Sequence, residues 1–216
     1  MLNLSFATRI GLFGGTFNPL HNAHLLVAQQ ALRELSLSKI VFIPSGIPPH
    51  KKVEFGTGKE IRYEMVREAI APYPKFSLSR IEIDRAGPAY TIDTIRAMKT
   101  SCSERFCFIV GADLLAQIDT WKEPEALLEA IPFVVAPRDD VKQEVFSRPP
   151  FHRAEIHFLE MEEIDLSSTW IRERVLHGES ITEYVPPIVA TYIEDRGLYQ
   201  NEQLAKLCYK AVQNNS

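Results

Sequence analysis

The stretch Gly14–Leu25 reads GGTFNPLHNAHL and places two adjacent glycines, an Asn-Pro and two histidines, His21 and His24, close together. Adjacent glycines let a backbone turn sharply and approach a ligand closely. Asn-Pro favours a turn followed by a helix start, and residues three apart share one helix face. At a helix N-terminus the free N–H groups and the positive end of the dipole favour an anion. Imidazole N–H donors aimed the same way add to that preference. Such a stretch suits the holding of phosphates, with Gly14, Gly15, Thr16, Phe17, His21 and His24 as candidate contacts. The plain alternative is that one histidine caps the helix and the other packs. A Walker loop is excluded because no Gly-Lys-Ser/Thr follows, and a GxGxxG dinucleotide loop because the glycines are adjacent. Zinc is disfavoured because the histidines are not at i, i+4 with a glutamate between them and no cysteine accompanies them.

A second stretch, DLSSTWIR at Asp165–Arg172, offers related chemistry. Ser167, Ser168 and Thr169 precede an apolar-periodic helix, so at least one is its N-cap. Capping alone is one reading. The other is a phosphate clamp, in which hydroxyls and helix N–H groups act with Arg172, whose fork donates two parallel hydrogen bonds.

The elements that must position these residues follow from hydrophobic period and from Gly/Pro breakers. Strands are expected at Arg9–Gly14, Lys39–Pro44, Phe76–Ile83, Arg105–Val110, Pro132–Ala136 and Glu155–Leu159. Helices are expected at His21–Ser36, Glu60–Ala71, Thr91–Lys99, Ala112–Ile118, Pro124–Ala130, Ser168–His177, Pro187–Arg196 and Asn201–Val212, with a Gly/Pro-rich loop over Ser45–Lys59. This alternation implies an α/β fold: a doubly wound, mostly parallel, Rossmann-like sheet with helices on both faces and a helical C-terminal part. Residues 1–216 are expected to form one domain, with 165–216 its mainly helical subregion. In such sheets ligands bind at the carboxyl ends of the strands, which is where Gly14–His24, Ser45–Lys52 and Gly111–Asp113 fall.

Composition narrows the class. The 216 residues are 45% hydrophobic and 24% charged with net charge −4, and the isoelectric point is about 5.9. An acidic balance argues against a protein that wraps nucleic acid. No apolar run approaches the ~20 residues of a membrane span, and MLNLSFATRI lacks the pattern of a signal peptide. The three cysteines, Cys102, Cys107 and Cys208, form no CxxC pair and are odd in number. A reducing, cytoplasmic setting is therefore expected, with Cys107 in the core. Oligomeric state stays open: the acidic surface and the segment from Asn201 serve a homo-oligomer or nothing.

Strand, GGTFNP, then HxxH at a helix start resembles the HxGH motif of the nucleotidyltransferase superfamily, with Ala23 where the motif has glycine. SSTWIR is similar to that superfamily's ISSTxIR phosphate motif, with Leu166 replacing the isoleucine. PSGIPPHKK (Pro44–Lys52), GPAYTIDT (Gly87–Thr94) and FIVGADLLAQIDTW (Phe108–Trp121) resemble bacterial nicotinate-nucleotide adenylyltransferases, a likeness running from about Arg9 to Tyr199. The resemblance implies that ATP and nicotinate mononucleotide are joined, giving deamido-NAD and pyrophosphate. A related acceptor such as nicotinamide mononucleotide is the alternative.

The resemblance also implies residue roles. His21, His24 and Arg172 would act on the reacting phosphates. Gly111 and Asp113 would hold the adenosine, although Asp113 as a helix N-cap is a further reading. Trp121 would stack on the pyridine ring or serve as a partly buried core residue. Tyr90 and Thr91 would lie beside the mononucleotide, and His50 and Lys51 would flank a phosphate or belong to a solvated loop. Arg138 would face the adenine or lie on the surface. A phosphate monoester is largely ionised at neutral pH, so in-line attack on the α-phosphorus needs no general base. Mg²⁺ would come with ATP, held mostly by phosphate oxygens and water, so no protein metal site is expected.

Overall fold

The computed structural model describes residues 6–48, 53, 55, 57–101, 103–138 and 141–200. Six strands form one sheet: β1 (Ile10–Gly15), β2 (Lys39–Pro44), β3 (Phe76–Leu78), β4 (Phe106–Gly111), β5 (Phe133–Ala136) and β6 (Ile156–Phe158). All neighbours are parallel, in the order β3-β2-β1-β4-β5-β6. Seven helices connect and follow them among the described residues: α1 (Asn22–Glu34), α2 (Lys59–Ile70), α3 (Thr91–Ser101), α4 (Ala112–Leu115), α5 (Pro124–Ala130), α6 (Ser168–Leu176) and α7 (Pro187–Asp195).

Period-two alternation along the strands explains the two faces. Phe13, Ile40, Phe42, Cys107, Ile109 and Val134 enter one core with apolar residues of α1, α2, α6 and α7. The intervening Leu12, Val41, Ile43, Phe108, Val110 and Val135 enter the other with residues of α3, α4 and α5. Strands buried on both faces are the usual condition of a parallel sheet. At Gly11 the packing leaves no room for a side chain: a Cβ there would meet Ile40 Cδ1 at 2.7 Å and Ile109 Cδ1 at 2.9 Å.

Strand order reverses between β1 and β4, and such a switch point opens a crevice at the carboxyl ends of the strands. The loops leaving β1, β2, β4 and β5 therefore converge on that end of the sheet.

Two sequence expectations need correction. The third strand stops at Leu78 rather than Ile83, because β3 pairs only with Ile40–Phe42 and the chain then turns. Ser79 Oγ accepts from the Ile81 N–H at 3.3 Å, and Asp84 N–H donates to the Arg80 carbonyl at 2.8 Å. Ile83, which extended the strand-like alternation, is buried from this turn instead. The helix expected over Ala112–Ile118 is the single turn of α4, followed by a separate 3-10 turn at Ile118–Thr120. Two further 3-10 turns, Gln143–Ser147 and Phe151–Arg153, bring Phe146 and Phe151 into edge contact at 4.9 Å. The helix expected at Asn201–Val212 lies outside the described residues, as do Cys102 and Cys208. Cys107 is fully buried, and burial pushes its thiol up to about 12, so it is an inert core residue.

Candidate active site

At the switch point lies a cavity open to solvent. It is lined by the post-β1 residues Gly14–Asn18, by His21, Ala23 and His24 of the α1 start, by Gly111 and Asp113 after β4, by Arg138 after β5, and by Ser168 and Arg172 of α6. Stretches far apart in sequence thus meet around one space. Neither α1 nor α6 carries an acidic residue in its first turn, which leaves the positive ends of both helices uncompensated by carboxylates.

His21 is the N-cap of α1 and His24 its third residue. Their rings stack with centroids 3.7 Å apart, and the His21 backbone N–H donates to His24 Nδ1 at 3.2 Å. Accepting through Nδ1 leaves the His24 proton on Nε2, which fixes the tautomer as a neutral donor. Burial, then His24 and Arg138, hold His21 far below the usual imidazole range; burial and Arg138 bring His24 down to about 3. Both rings are therefore neutral at pH 7, and the two residues form a capping box in which the His21 side chain faces the His24 backbone N–H.

The glycine loop is braced from behind. Phe17 has φ 49°, a left-handed conformation rarely taken by a bulky residue, and its buried ring packs edge-on against His24 at 5.1 Å. A Cβ on Gly15 would meet that ring at 2.9 Å. Three contacts hold the following turn: Arg172 Nη1 donates to the Asn18 carbonyl at 2.8 Å, Tyr199 Oη to Asn18 Oδ1 at 2.8 Å, and Ser168 Oγ to the Pro19 carbonyl at 2.9 Å. From α2, the buried Arg62 donates to the carbonyls of Thr16 (2.7 Å), Ser45 (2.6 Å) and Gly46 (2.9 Å). Burial lowers its guanidinium only to about 10, so it stays a cation at neutral pH.

Not every residue of the expected ATP set lines the cavity. Ser167 is the N-cap of α6, accepting from the Trp170 N–H at 3.2 Å, and Thr169 Oγ1 accepts from Arg172 Nη2 at 3.0 Å. Arg172 lines the cavity and also ties α6 to the glycine loop. Asp113 is not an N-cap, since Gly111 holds that position in α4. Its carboxylate lies 3.8 Å from Arg138 Nε, and Arg138 Nη1 donates to the Ile164 carbonyl at 3.0 Å.

A second, open cavity adjoins the first, sharing Thr16 and Leu114 with it. Its wall includes Pro48, Ala89, Tyr90, Thr91, Gln117, Trp121 and Lys122. Trp121 both lines it and packs on the core, edge-on to Phe108 at 6.5 Å. His50 and Lys51 lie outside the described residues.

Sequence reasoning missed Arg62, Asn18, Tyr199 and Lys122. Lys122 Nζ sits 4.9 Å over the Tyr90 ring and 3.0 Å from Asp93 Oδ2. Its adjacency to Trp121 was the one available sign.

Comparison with known proteins gives this arrangement a family. The cytidylyltransferase-like family model matches residues 12–174, from β1 through most of α6. The chain belongs to the cytidylyltransferase-like family. A probable nicotinate-nucleotide adenylyltransferase of Geobacillus thermodenitrificans is 39% identical over 209 residues, covering 96% of this chain and 94% of the relative. One of Rubrobacter xylanophilus is 40% identical, covering 89% and 92%. Among solved structures, nicotinic acid mononucleotide adenylyltransferase of Plasmodium falciparum, complexed with NaAD, superposes with a TM-score of 0.76 at 21% identity, covering 89% of this chain and 97% of that one. A putative nicotinate-nucleotide adenylyltransferase of Vibrio parahaemolyticus gives 0.63 at 18% identity, covering 90% and 96%. These two share the fold of this cytidylyltransferase-like chain.

Proposed function

We propose that the protein is a nicotinate-nucleotide adenylyltransferase, joining nicotinate mononucleotide to the AMP part of ATP and releasing pyrophosphate. The observation that carries the reading is the pair of adjoining cavities. One is walled by the glycine loop, the histidine pair and α6. The other is walled by aromatic and polar side chains, and both meet at Thr16. The names of relatives about 40% identical over most of the chain support the same assignment.

In this reading ATP occupies the first cavity. Its phosphates lie against the Gly14–Phe17 backbone, His21, His24, Ser168 and Arg172, and its adenosine against Gly111, Asp113 and Arg138. The mononucleotide occupies the second cavity, its pyridine against Trp121 and its remaining groups near Tyr90, Thr91, His50 and Lys51. A phosphate oxygen of the mononucleotide attacks the α-phosphorus, the new P–O bond forms, and the bond to the β-phosphate bridge breaks. That nucleophile is already ionised, so the protein contributes orientation and charge stabilisation. Neutral histidine donors are suited to this, because they hydrogen-bond the developing charge without trapping a proton. Arg62 and Arg172 supply fixed positive charge behind the loop.

No group of three or more His, Cys, Asp or Glu arranged to hold a metal occurs among the described residues. The metal of the reaction is proposed to be Mg²⁺ entering as the ATP complex, held by phosphate oxygens and water. No helix among the described residues is long and apolar enough to cross a membrane, and a cytoplasmic enzyme is proposed.

Oxygen-18 in the phosphate of the mononucleotide tests the bond change. All label is expected in the dinucleotide, including its bridge, and none in pyrophosphate. Label in pyrophosphate would contradict attack at the α-phosphorus.

A further inference from the structure

Behind the second cavity sits a carboxyl group that the reaction does not use. Glu82, in the turn after β3, is 8% exposed. Thr94 Oγ1 of α3 donates to its Oε1 at 2.7 Å, and Arg85 Nη1 donates to the same Thr94 oxygen at 3.1 Å. From α2 Arg62 and from the loop after β2 the Gly46 backbone favour its ionised form electrostatically. Burial nevertheless raises Glu82 to about 7. Neither arginine forms a close ion pair with it, so this buried acid is poorly compensated. Fold stability alone would be served as well by an apolar side chain.

Its contacts lead to one place. Gly46 is held from two sides, its carbonyl by Arg62 and its Cα against the Glu82 backbone. It tolerates no side chain, because a Cβ would lie 2.1 Å from the Glu82 carbonyl oxygen. The next residue, Ile47, bridges to Pro88 and accepts from the Ala89 N–H at 2.9 Å. The Thr94 oxygen also lies 3.3 Å from the Tyr90 carbonyl, one turn back at the start of α3, while its single proton goes to Glu82. Pro48, Ala89, Tyr90 and Thr91, all on the second cavity's wall, thus hang on segments that Glu82 joins. The first cavity shares none of these four residues.

We propose that Glu82 is a positioning residue for the acceptor: through Gly46 and Thr94 it sets the wall that receives the mononucleotide, and it leaves ATP binding alone. The proposal rests on the assignment of the second cavity to the mononucleotide.

Calorimetric binding of nicotinate mononucleotide and of ATP, each alone, to wild type, Glu82→Leu, Glu82→Gln and Thr94→Val tests it, with thermal midpoints measured alongside. Glu82→Leu is expected to weaken mononucleotide binding at least tenfold and to keep ATP affinity within twofold. Glu82→Gln, whose amide oxygen still accepts from Thr94, is expected to restore most of the loss. Thr94→Val removes one donor without changing shape and is expected to lose three- to tenfold on the mononucleotide only; it carries the test if Glu82→Leu does not fold. Parallel loss of both ligands overturns the proposal, as does mononucleotide affinity within twofold of wild type in folded Glu82→Leu or Thr94→Val. Should the wild type bind nicotinamide mononucleotide and not the nicotinate form, the substrate reading falls, and the same comparison with the amide form decides on Glu82. Wild type that binds ATP and neither mononucleotide removes the acceptor cavity and this proposal with it.

Discussion

The two cavities are built from different materials. The first is made at the ends of central, fully buried strands and at two helix N-termini, with Arg172 and Arg62 bound to backbone carbonyls behind the loop. The second is made mostly of side chains from loops and short turns, including Lys122 and Trp121. The difference matches what each must recognise. Phosphates present the same charge and oxygens in every nucleotide, so backbone donors and fixed cations suffice and tolerate little movement. An acceptor is distinguished by its ring and substituents, which only side chains can read. In the proposed reading, chemistry is set in the first cavity and selectivity in the second.

The sharpest break between the halves is His24→Ala. Loss of one preorganised donor is expected to lower kcat by about 10²–10³-fold, with much smaller change in either KM. Steady-state rates varying both substrates check this; an unchanged kcat would remove His24 from the reaction. Arg62→Met comes next. It strips the carbonyls of Thr16, Ser45 and Gly46 of their partner, at an expected cost of about 2–4 kcal/mol in unfolding free energy, measured by denaturant titration. Because Thr16 borders both cavities, both KM values should rise together. Trp121→Ala should separate them: KM for the mononucleotide up about tenfold, worth about 1.4 kcal/mol, with KM for ATP nearly intact. Equal loss for both substrates would make Trp121 only a core residue.

A smaller effect is pH dependence of stability without ligand. The unfolded imidazole protonates near 6.5, whereas folded His24 does so at about 3 and His21 lower still. The unfolded state therefore binds more protons below pH 6.5, and stability is lost as pH falls, by about 1.4 kcal/mol per pH unit for each ring. Denaturant titrations from pH 7 to 5 should show a flatter slope for His24→Ala than for wild type. Equal slopes would mean that His24 is not held neutral.

What the sequence made legible follows the same division. The strands could be read because alternate residues serve two cores, as Leu12 and Phe13 do in β1. The third strand was overread because Ile83 is buried from a turn that keeps the alternation while abandoning the ladder. GGTFNPLHNAH and SSTWIR could be read because each packs its chemistry into contiguous residues. Arg62, Glu82 and Tyr199 could not. Arg62 looks like any helix charge until Thr16 and Ser45 close around it, and the partner of Tyr199 is Asn18, at the other end of the chain. Long-range polar contacts leave no local period or spacing. At Thr169 the local motif suggested a cavity hydroxyl, and the fold turns that hydroxyl toward Arg172.

The most direct test of the central claim, that the second cavity receives the acid form of the mononucleotide while the first activates ATP, is pyrophosphate release. It should be followed from Mg-ATP with nicotinate mononucleotide beside the amide form. The account predicts rapid release with the acid form and much less with the amide. Release with the amide alone would contradict the acceptor assignment, and release with neither would contradict the reaction.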